Sequence, residues 1–331
     1  MNQPDRFTLA LQTAVIHGVI RYKSMKSNFF LQTRKQHWLE EIDLTSLPSD
    51  SLKSVFETYV ANMNEVLCVV QSSFNLILHA QLEKQENQVF QKNLLLAHAN
   101  ALRGGYHEDS DRIAHEAQKL TEEELDANED TEILNCIVET LNEHEKDEAI
   151  ATSNFSTLRQ SIVILWSATE SLVRDVVRTI LNQDKGLAIA FFESSMTSPY
   201  WNKKNISYEH FKEHDFNLSE KLGDVALEIN ACSNSASMGS AYAFLLGSDS
   251  ETCKAIKSRD FFYLCRLRNI IAHKNGIVDK KFKNETQCME PIGERFKVSP
   301  EVFDFCFDIS KSLAKYLVKE ISSNNMHATS T

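Results

Sequence analysis

The stretch FSTLRQSIVILWSATESLVRDVVRTI, residues 155–180, decides the fold. Its repeating positions fall at Leu158, Ile162, Leu165, Thr169, Leu172, Val176 and Ile180, in steps of three and four. That is the period of a helix burying one stripe, not the two-residue alternation of a strand. The same period runs upstream from Leu52 to Leu102 through Val55, Tyr59, Met63, Val66, Val70, Phe74, Ile77 and Leu78, as one amphipathic helix or two in succession. Among 331 residues there are only 9 Gly and 5 Pro, too little turn chemistry for a sandwich, a barrel or a doubly wound sheet. An apolar fraction of 42% with 9% aromatic residues is ample for a core, so an all-α protein is expected.

Local signals divide the chain. Asp5 to Ile20 and Phe29 to Ile42 read as short helices, and Leu47-Pro48-Ser49 as a break after which Ser49 or Asp50 caps the next helix. Arg103-Gly104-Gly105-Tyr106 stops that helix, and another is expected over Asp109 to Leu120. Ser153 or Asn154 is the expected cap of the long helix that follows Phe155. Ser194 to Ser207 and Asn230 to Ser250 read as loops around shorter helices. Arg259 to Lys274 is helical and ends at Asn275-Gly276 in the manner of a left-handed cap. After an irregular stretch from Gly276 to Val298, Ser299-Pro300-Glu301 opens a last helix running to about Ile321. The expected organisation is an N-terminal helical domain over 1–120, an acidic connecting segment over 121–152, a second helical domain over 153–323, and a disordered tail over 324–331.

The formal net charge of -11 argues at first against nucleic acid as a partner. The excess is local, however. Between Glu122 and Glu148 there are twelve acids against Lys146 alone, and the rest of the chain is neutral with 34 bases and 34 acids. Such a block is a solvated helix face or a segment between domains, able to lie over a basic face or to recruit a basic partner. The seven cysteines are scattered, without CxxC spacing or histidines at zinc-ligand intervals, so a reduced, cytoplasmic protein with no structural metal and no cofactor is expected. No signal-peptide pattern and no run of about 18 apolar residues occurs, which predicts a chain that neither is exported nor spans a membrane.

The usual catalytic signatures GxxxxGK[ST], GxGxxG, HExxH and GxSxG are absent. What stands out is Arg268-Asn269-Ile270-Ile271-Ala272-His273. With 12 Arg and 11 His in the chain, about 0.4 such pairs are expected by chance at this spacing, so the match alone says little. Its context says more. From Lys254 to Lys283 nine bases (Lys254, Lys257, Arg259, Arg266, Arg268, Lys274, Lys280, Lys281 and Lys283) face only Asp260 and Asp279, a net of +7. That is the footprint of an anion site. A five-residue step turns a helix by roughly 140° beyond one full turn. Arg268 and His273 therefore converge only if the helix unwinds at Asn275-Gly276 or a second subunit supplies the partner group.

An Arg-x4-His motif with Asn directly after the Arg, about a hundred residues beyond a helix reading Leu165-Trp166-Ser167-Ala168-Thr169-Glu170-Ser171-Leu172-Val173, resembles the HEPN superfamily of all-helical nucleases. The likeness covers about Ser153 to Ile321. Many members of that superfamily are ribonuclease toxins of toxin–antitoxin and anti-phage systems, and their domains typically dimerise so that two motifs face each other. The resemblance implies Arg268 and His273 as catalytic, Asn269 as the accompanying polar residue, Glu170 as a carboxylate orienting the arginine, RNA as substrate, and an antitoxin or other regulatory partner. Some antitoxin-modified members carry a Tyr two residues after the His. Here Lys274-Asn275 follows His273, so regulation through such a Tyr is not supported.

The residue types suit RNA cleavage without metal, which needs a base for the 2′-hydroxyl proton, an acid for the leaving 5′-oxygen and a cation for the phosphorane. Imidazole, with an ordinary pKa near 6.5, serves as base or acid, and a helix C-terminus favours its protonated form. Lys254, Lys257, Arg266, Lys274, Lys280 and Lys281 are the candidate RNA contacts. Plainer readings compete: Arg268 paired with a structural carboxylate, His273 as an ordinary last-turn residue, Glu170 facing solvent, Asn269 as a surface amide, and Lys280, Lys281 and Lys283 as a solvated run. Trp166 reads as core rather than as a platform for stacked bases. Lys92-Asn93-Leu94-Leu95-Leu96-Ala97-His98 is a faint copy of the motif, one residue longer and with Lys for Arg, and reads as core helix. A catalytically silent nucleotide- or RNA-binding module and a helical interaction scaffold are the alternatives to the nuclease.

Overall fold

The computed structural model describes residues 42–106, 109–127, 139–140, 143–144, 146–201, 212–213 and 217–323. The helices expected over 5–20 and 29–42, most of the acidic block beyond Ala127, and the tail over 324–331 lie outside these residues. Among them the protein is all-α, with no strand and one isolated antiparallel bridge, Ile277 to Arg295. No described helix is long and apolar enough to cross a membrane.

The chain clusters into two compact units, one of Met1–Thr33 with Gln71–Asn154, the other of Arg34–Val70 with Phe155–Thr331. The boundaries at Val70 and Asn154 both fall within helices. Helix α1 is a single 55-residue helix, Asp50–Gly104. It ends where two glycines meet, with Gly105 at φ +75°. Asp109 caps α2, Ser110–Ala127, by accepting from the Arg112 amide at 3.0 Å. In the first unit the C-terminal part of α1 packs against α2 along Ala97, Ala101, Ile113 and Ala117, flanked by Phe90, Leu94 and Tyr106. Of the acidic block, Glu124 on α2 receives a hydrogen bond from Lys92 at 2.8 Å and another from Asn93 at 3.2 Å.

Helix α3, Glu148–Gln183, starts earlier than expected. Asp147 is its cap: one carboxylate oxygen accepts from the Ala149 amide at 2.8 Å and the Ile150 amide at 3.2 Å, so Ser153 and Asn154 lie inside the helix. The second unit continues with α4 (Lys185–Glu193), α5 (Ser198–Trp201), α6 (Leu222–Ile229), α7 (Ser235–Leu246), α8 (Glu251–Lys257), α9 (Arg259–Lys274), α10 (Lys280–Thr286) and α11 (Pro300–Ser323). Helices α7 and α10 fall in stretches that read as irregular. Each is nucleated by an Asx cap: Asn234 accepts from Ala236 and Ser237, and Asp279 from Phe282.

The second unit is built around large side chains. Trp166, Trp201, Tyr242, Phe191, Phe261, Phe303 and Phe307 are all fully buried. Several of its buried hydroxyls are paired: Ser310 of α11 lies 2.8 Å from the Tyr59 hydroxyl and 2.6 Å from that of Thr169, and Tyr242 donates to the Val173 carbonyl at 2.8 Å. Helix α6 crosses α3 at Gly223, where a Cβ would stand 2.1 Å from the Arg178 carbonyl oxygen. Asn182 locks that crossing, accepting from the Gly223 amide at 2.7 Å and donating to Asp224 at 2.8 Å.

Candidate functional site

Helix α9 carries the Arg-x4-His motif and is regular from end to end. Ser258 caps its start by accepting from the Phe261 amide. Phe261, Leu264, Leu267, Ile270 and Ile271 are buried along one face. At the other end Asn275 takes the left-handed conformation, φ 52° and ψ 31°, and the Gly276 amide returns to the Ile270 carbonyl at 2.9 Å. The Asn275-Gly276 stop was legible in the sequence because only residues that tolerate positive φ close a helix this way.

Arg268 is half-buried on a flank of this helix. One Nη lies 3.8 Å from a Glu170 carboxylate oxygen on α3, and the other donates to the side-chain oxygen of Asn269 at 3.0 Å. Its Nε–H is buried without an acceptor. Glu170 is held from behind by Trp166, whose indole N–H donates to it at 2.8 Å. The Trp166 ring is buried against Phe261 of α9, with centroids 5.4 Å apart. Trp166 is therefore core, and Glu170 faces α9 rather than solvent. The period alone could not assign that direction, because Glu170 sits at the edge of the apolar stripe. Asn269 completes the cluster, its amide 4.0 Å from the Cys265 sulfur. Burial, opposed by Arg266 and Arg268, pushes the Cys265 thiol up.

His273 stands apart from this cluster. It is exposed in the last turn of α9, on an unbroken helix, and so lies roughly 140° around the axis from Arg268. The helix does not unwind between them, and one chain does not bring the two side chains to a common face.

The basic window is less uniform than its net charge implies. Lys254 pairs with Glu251 at 2.8 Å, Arg266 with Glu285, and Lys274 with Asp279. The Lys274 and Phe282 hydrogen bonds hold the Asp279 carboxyl below the usual carboxylate range. Lys283 donates to the Glu290 carbonyl at 2.8 Å. Lys257, Arg259, Lys280 and Lys281 make no ion pair among the described residues. They divide into two groups, Lys257 and Arg259 at the start of the motif helix and Lys280 and Lys281 beyond its end. Lys257 and Arg259 edge an open cavity of about 700 Å³ that Phe262, Tyr200 and Met196 also line. Gly239 makes room there, since a Cβ on it would stand 3.3 Å from Cε of Lys257. Arg259 precedes His273 by fourteen residues, about 21 Å of helix, so the cavity belongs to the opposite end of α9.

Sequence reasoning passed over two arginines. Arg159 of α3 is buried and packs on Gly276, and Arg295 approaches the same glycine. The signal that could have found Arg159 is its place among Leu158, Ile162 and Leu165, where a long cation needs a partner. Among the described residues no three His, Cys, Asp or Glu side chains gather as a metal site. Compared with family models, with curated proteins and with solved structures, the chain matches none.

Proposed function

We propose that the second unit is a metal-independent endoribonuclease of the HEPN type, working as a homodimer with Arg268, His273, Asn269 and Glu170 as its site. The observation that carries this reading is the arginine cluster itself. Arg268 is fixed between Glu170 and Asn269 with hydrogen-bonding capacity unspent, on a helix whose last turn presents an exposed histidine. Oxyanion stabilisation needs such a preorganised cation more than a mobile one. The faces of α9 supply the reason for a dimer: two copies related by a two-fold axis can set the Arg268 of one beside the His273 of the other.

The chemistry follows. His273 of one copy takes the proton of the 2′-hydroxyl, and the 2′-oxygen attacks phosphorus. The bond from phosphorus to the 5′-oxygen breaks, and the same histidine from the second copy, protonated, gives that oxygen its proton. Products are a 2′,3′-cyclic phosphate and a 5′-hydroxyl. The Arg268 guanidinium carries the extra charge on the phosphorane oxygens. DNA, without the nucleophile, is spared. The setting that fits is a toxin or anti-phage effector restrained by an antitoxin or other regulatory partner. The test is purified full-length chain on a structured RNA in excess chelator, beside His273→Ala. Cleavage that survives the substitution, or that needs added divalent metal, overturns the reading. A 2′-deoxy residue at the mapped site abolishes product.

A second reading, a nucleotide- or RNA-binding module without turnover, is favoured by the cavity edged by Lys257 and Arg259. It predicts saturable binding with no product and no effect of His273→Ala.

A further inference from the structure

The Arg159 side chain is 9% exposed and lies in the interior of α3, yet no carboxylate is within ion-pair distance of it among the described residues. Among the described residues its one hydrogen bond is a long donation from Nη2 to the Ser156 hydroxyl, 3.5 Å, and its Nε–H is buried with no acceptor there. A second cation makes matters worse. Burial first, and the charge of Arg295 second, lower the Arg159 pKa from its ordinary value. Buried charges in proteins are paired, and a guanidinium in particular is matched by an oxyanion that takes two of its N–H groups.

The backbone around the pair is fixed. Gly276 has φ +76° at the stop of α9, and a Cβ on it would stand 3.1 Å from Cδ of Arg159, 3.9 Å from its Nε and 3.6 Å from Cγ of Arg295. The two side chains therefore converge on the space that a side chain at this glycine would fill. Arg295 is held in register by its bridge to Ile277 and by the Phe296 amide, which donates to the Gly276 carbonyl at 2.8 Å. Its side chain is exposed, which leaves a way in from solvent.

We infer that Arg159 and Arg295 form a phosphate-binding site at Gly276, taking a phosphate monoester or diester. Two guanidiniums without an acid call for several acceptor oxygens in a small volume, which a phosphate supplies. Gly276 is three residues past His273, so the site sits one turn beyond the proposed catalytic imidazole. The assignment of that phosphate to an RNA strand rests on the ribonuclease reading, whereas the site itself rests on the orphaned Arg159 and its neighbour Arg295.

The test titrates inorganic phosphate into the full-length chain at constant ionic strength, reading thermal shift and calorimetric heat. Wild type shows saturable binding. Arg295→Ala, a surface change, and Arg159→Met, of similar length, each weaken it at least tenfold while the far-ultraviolet circular dichroism is kept. A second arm measures anisotropy of a labelled RNA with 2′-deoxy residues throughout the cleavage region. Weakening of that RNA by Arg295→Ala assigns the site to the strand, and unchanged RNA binding with lost phosphate binding assigns it to a free phosphate compound. No phosphate binding by wild type, or binding untouched by both substitutions, overturns the site even where the RNA is still cut. Phosphate binding lost in both variants of a protein that cuts no RNA supports the site and removes only the nuclease.

Discussion

Two places in this molecule set a cation followed by asparagine against a glutamate of a neighbouring helix, and they use it differently. In the first unit Lys92 and Asn93 both donate to Glu124, so the carboxylate is spent on the pair that faces it. Lys92 is 67% exposed there, over a seam of alanines. In the second unit the indole of Trp166 takes Glu170 first, and Arg268 is left at 3.8 Å with its Nε–H unmet. One local pattern thus serves as a fully paired cluster in one unit and as a poised cation in the other. The difference is made by a buried tryptophan four residues before the glutamate, not by the cation–asparagine step.

The sharpest way to break that comparison is enzymatic. Arg268→Ala and His273→Ala should each lower the rate of RNA cleavage by about 100-fold or more, the range of a lost acid, base or oxyanion group, whereas Lys92→Ala leaves it within about twofold. Equal losses from Arg268 and Lys92 would make the two clusters the same kind of feature.

Next in size is packing. Gly223→Ala forces a Cβ to 2.1 Å from a backbone oxygen that cannot turn aside, and should cost about 3 kcal/mol or more in urea unfolding followed by tryptophan fluorescence. Trp166 and Trp201, both buried in the second unit, report that transition. Ala101→Gly in the alanine seam should cost only about 1 kcal/mol, read by circular dichroism.

The third contrast is alkaline. Burial pushes the Cys232 and Cys306 thiols of the second unit up to about 12 from an ordinary value of 9.0. Above pH 9 the unfolded chain releases these protons while the folded one keeps them, so stability falls as pH rises from 9 toward 12. The slope is about 1.4 kcal/mol per thiol per pH unit. Cys306→Ala should flatten it in a urea series between pH 8 and 10.5; an unchanged slope would count against burial of that thiol.

Smaller again is Trp166→Phe, which removes the donor to Glu170 and should cost about 1–2 kcal/mol. Glu170 is then free to close on Arg268, and cleavage falls as the guanidinium becomes fully paired. Smallest is Lys92→Ala, at less than about 1 kcal/mol and diminishing with added salt, as for other exposed pairs.

Much of this was legible without coordinates. The three-and-four period gave α1 and α3, and the glycine pair after Arg103 and Asn275-Gly276 marked the ends of α1 and α9, because both signals act within a turn or two of chain. Caps were legible only in part. Asp147 captures the amides at the start of α3 in place of Ser153 or Asn154, and Asn234 and Asp279 each nucleate a helix in a stretch whose composition reads as loop.

What sequence alone determined, then, is the helical class, the helix that carries Arg268 and His273, and the place where it stops. Each of these depends on neighbours within a few residues. The tertiary structure decided which charges are spent. Glu170 meets Arg268 across 98 positions of sequence, Lys274 and Arg266 turn out to be paired, and Arg159 comes to rest on Gly276 without an acid. Helical periodicity says which face of a helix is buried but not which helix covers it, and a charge becomes costly or available only when that cover removes its water.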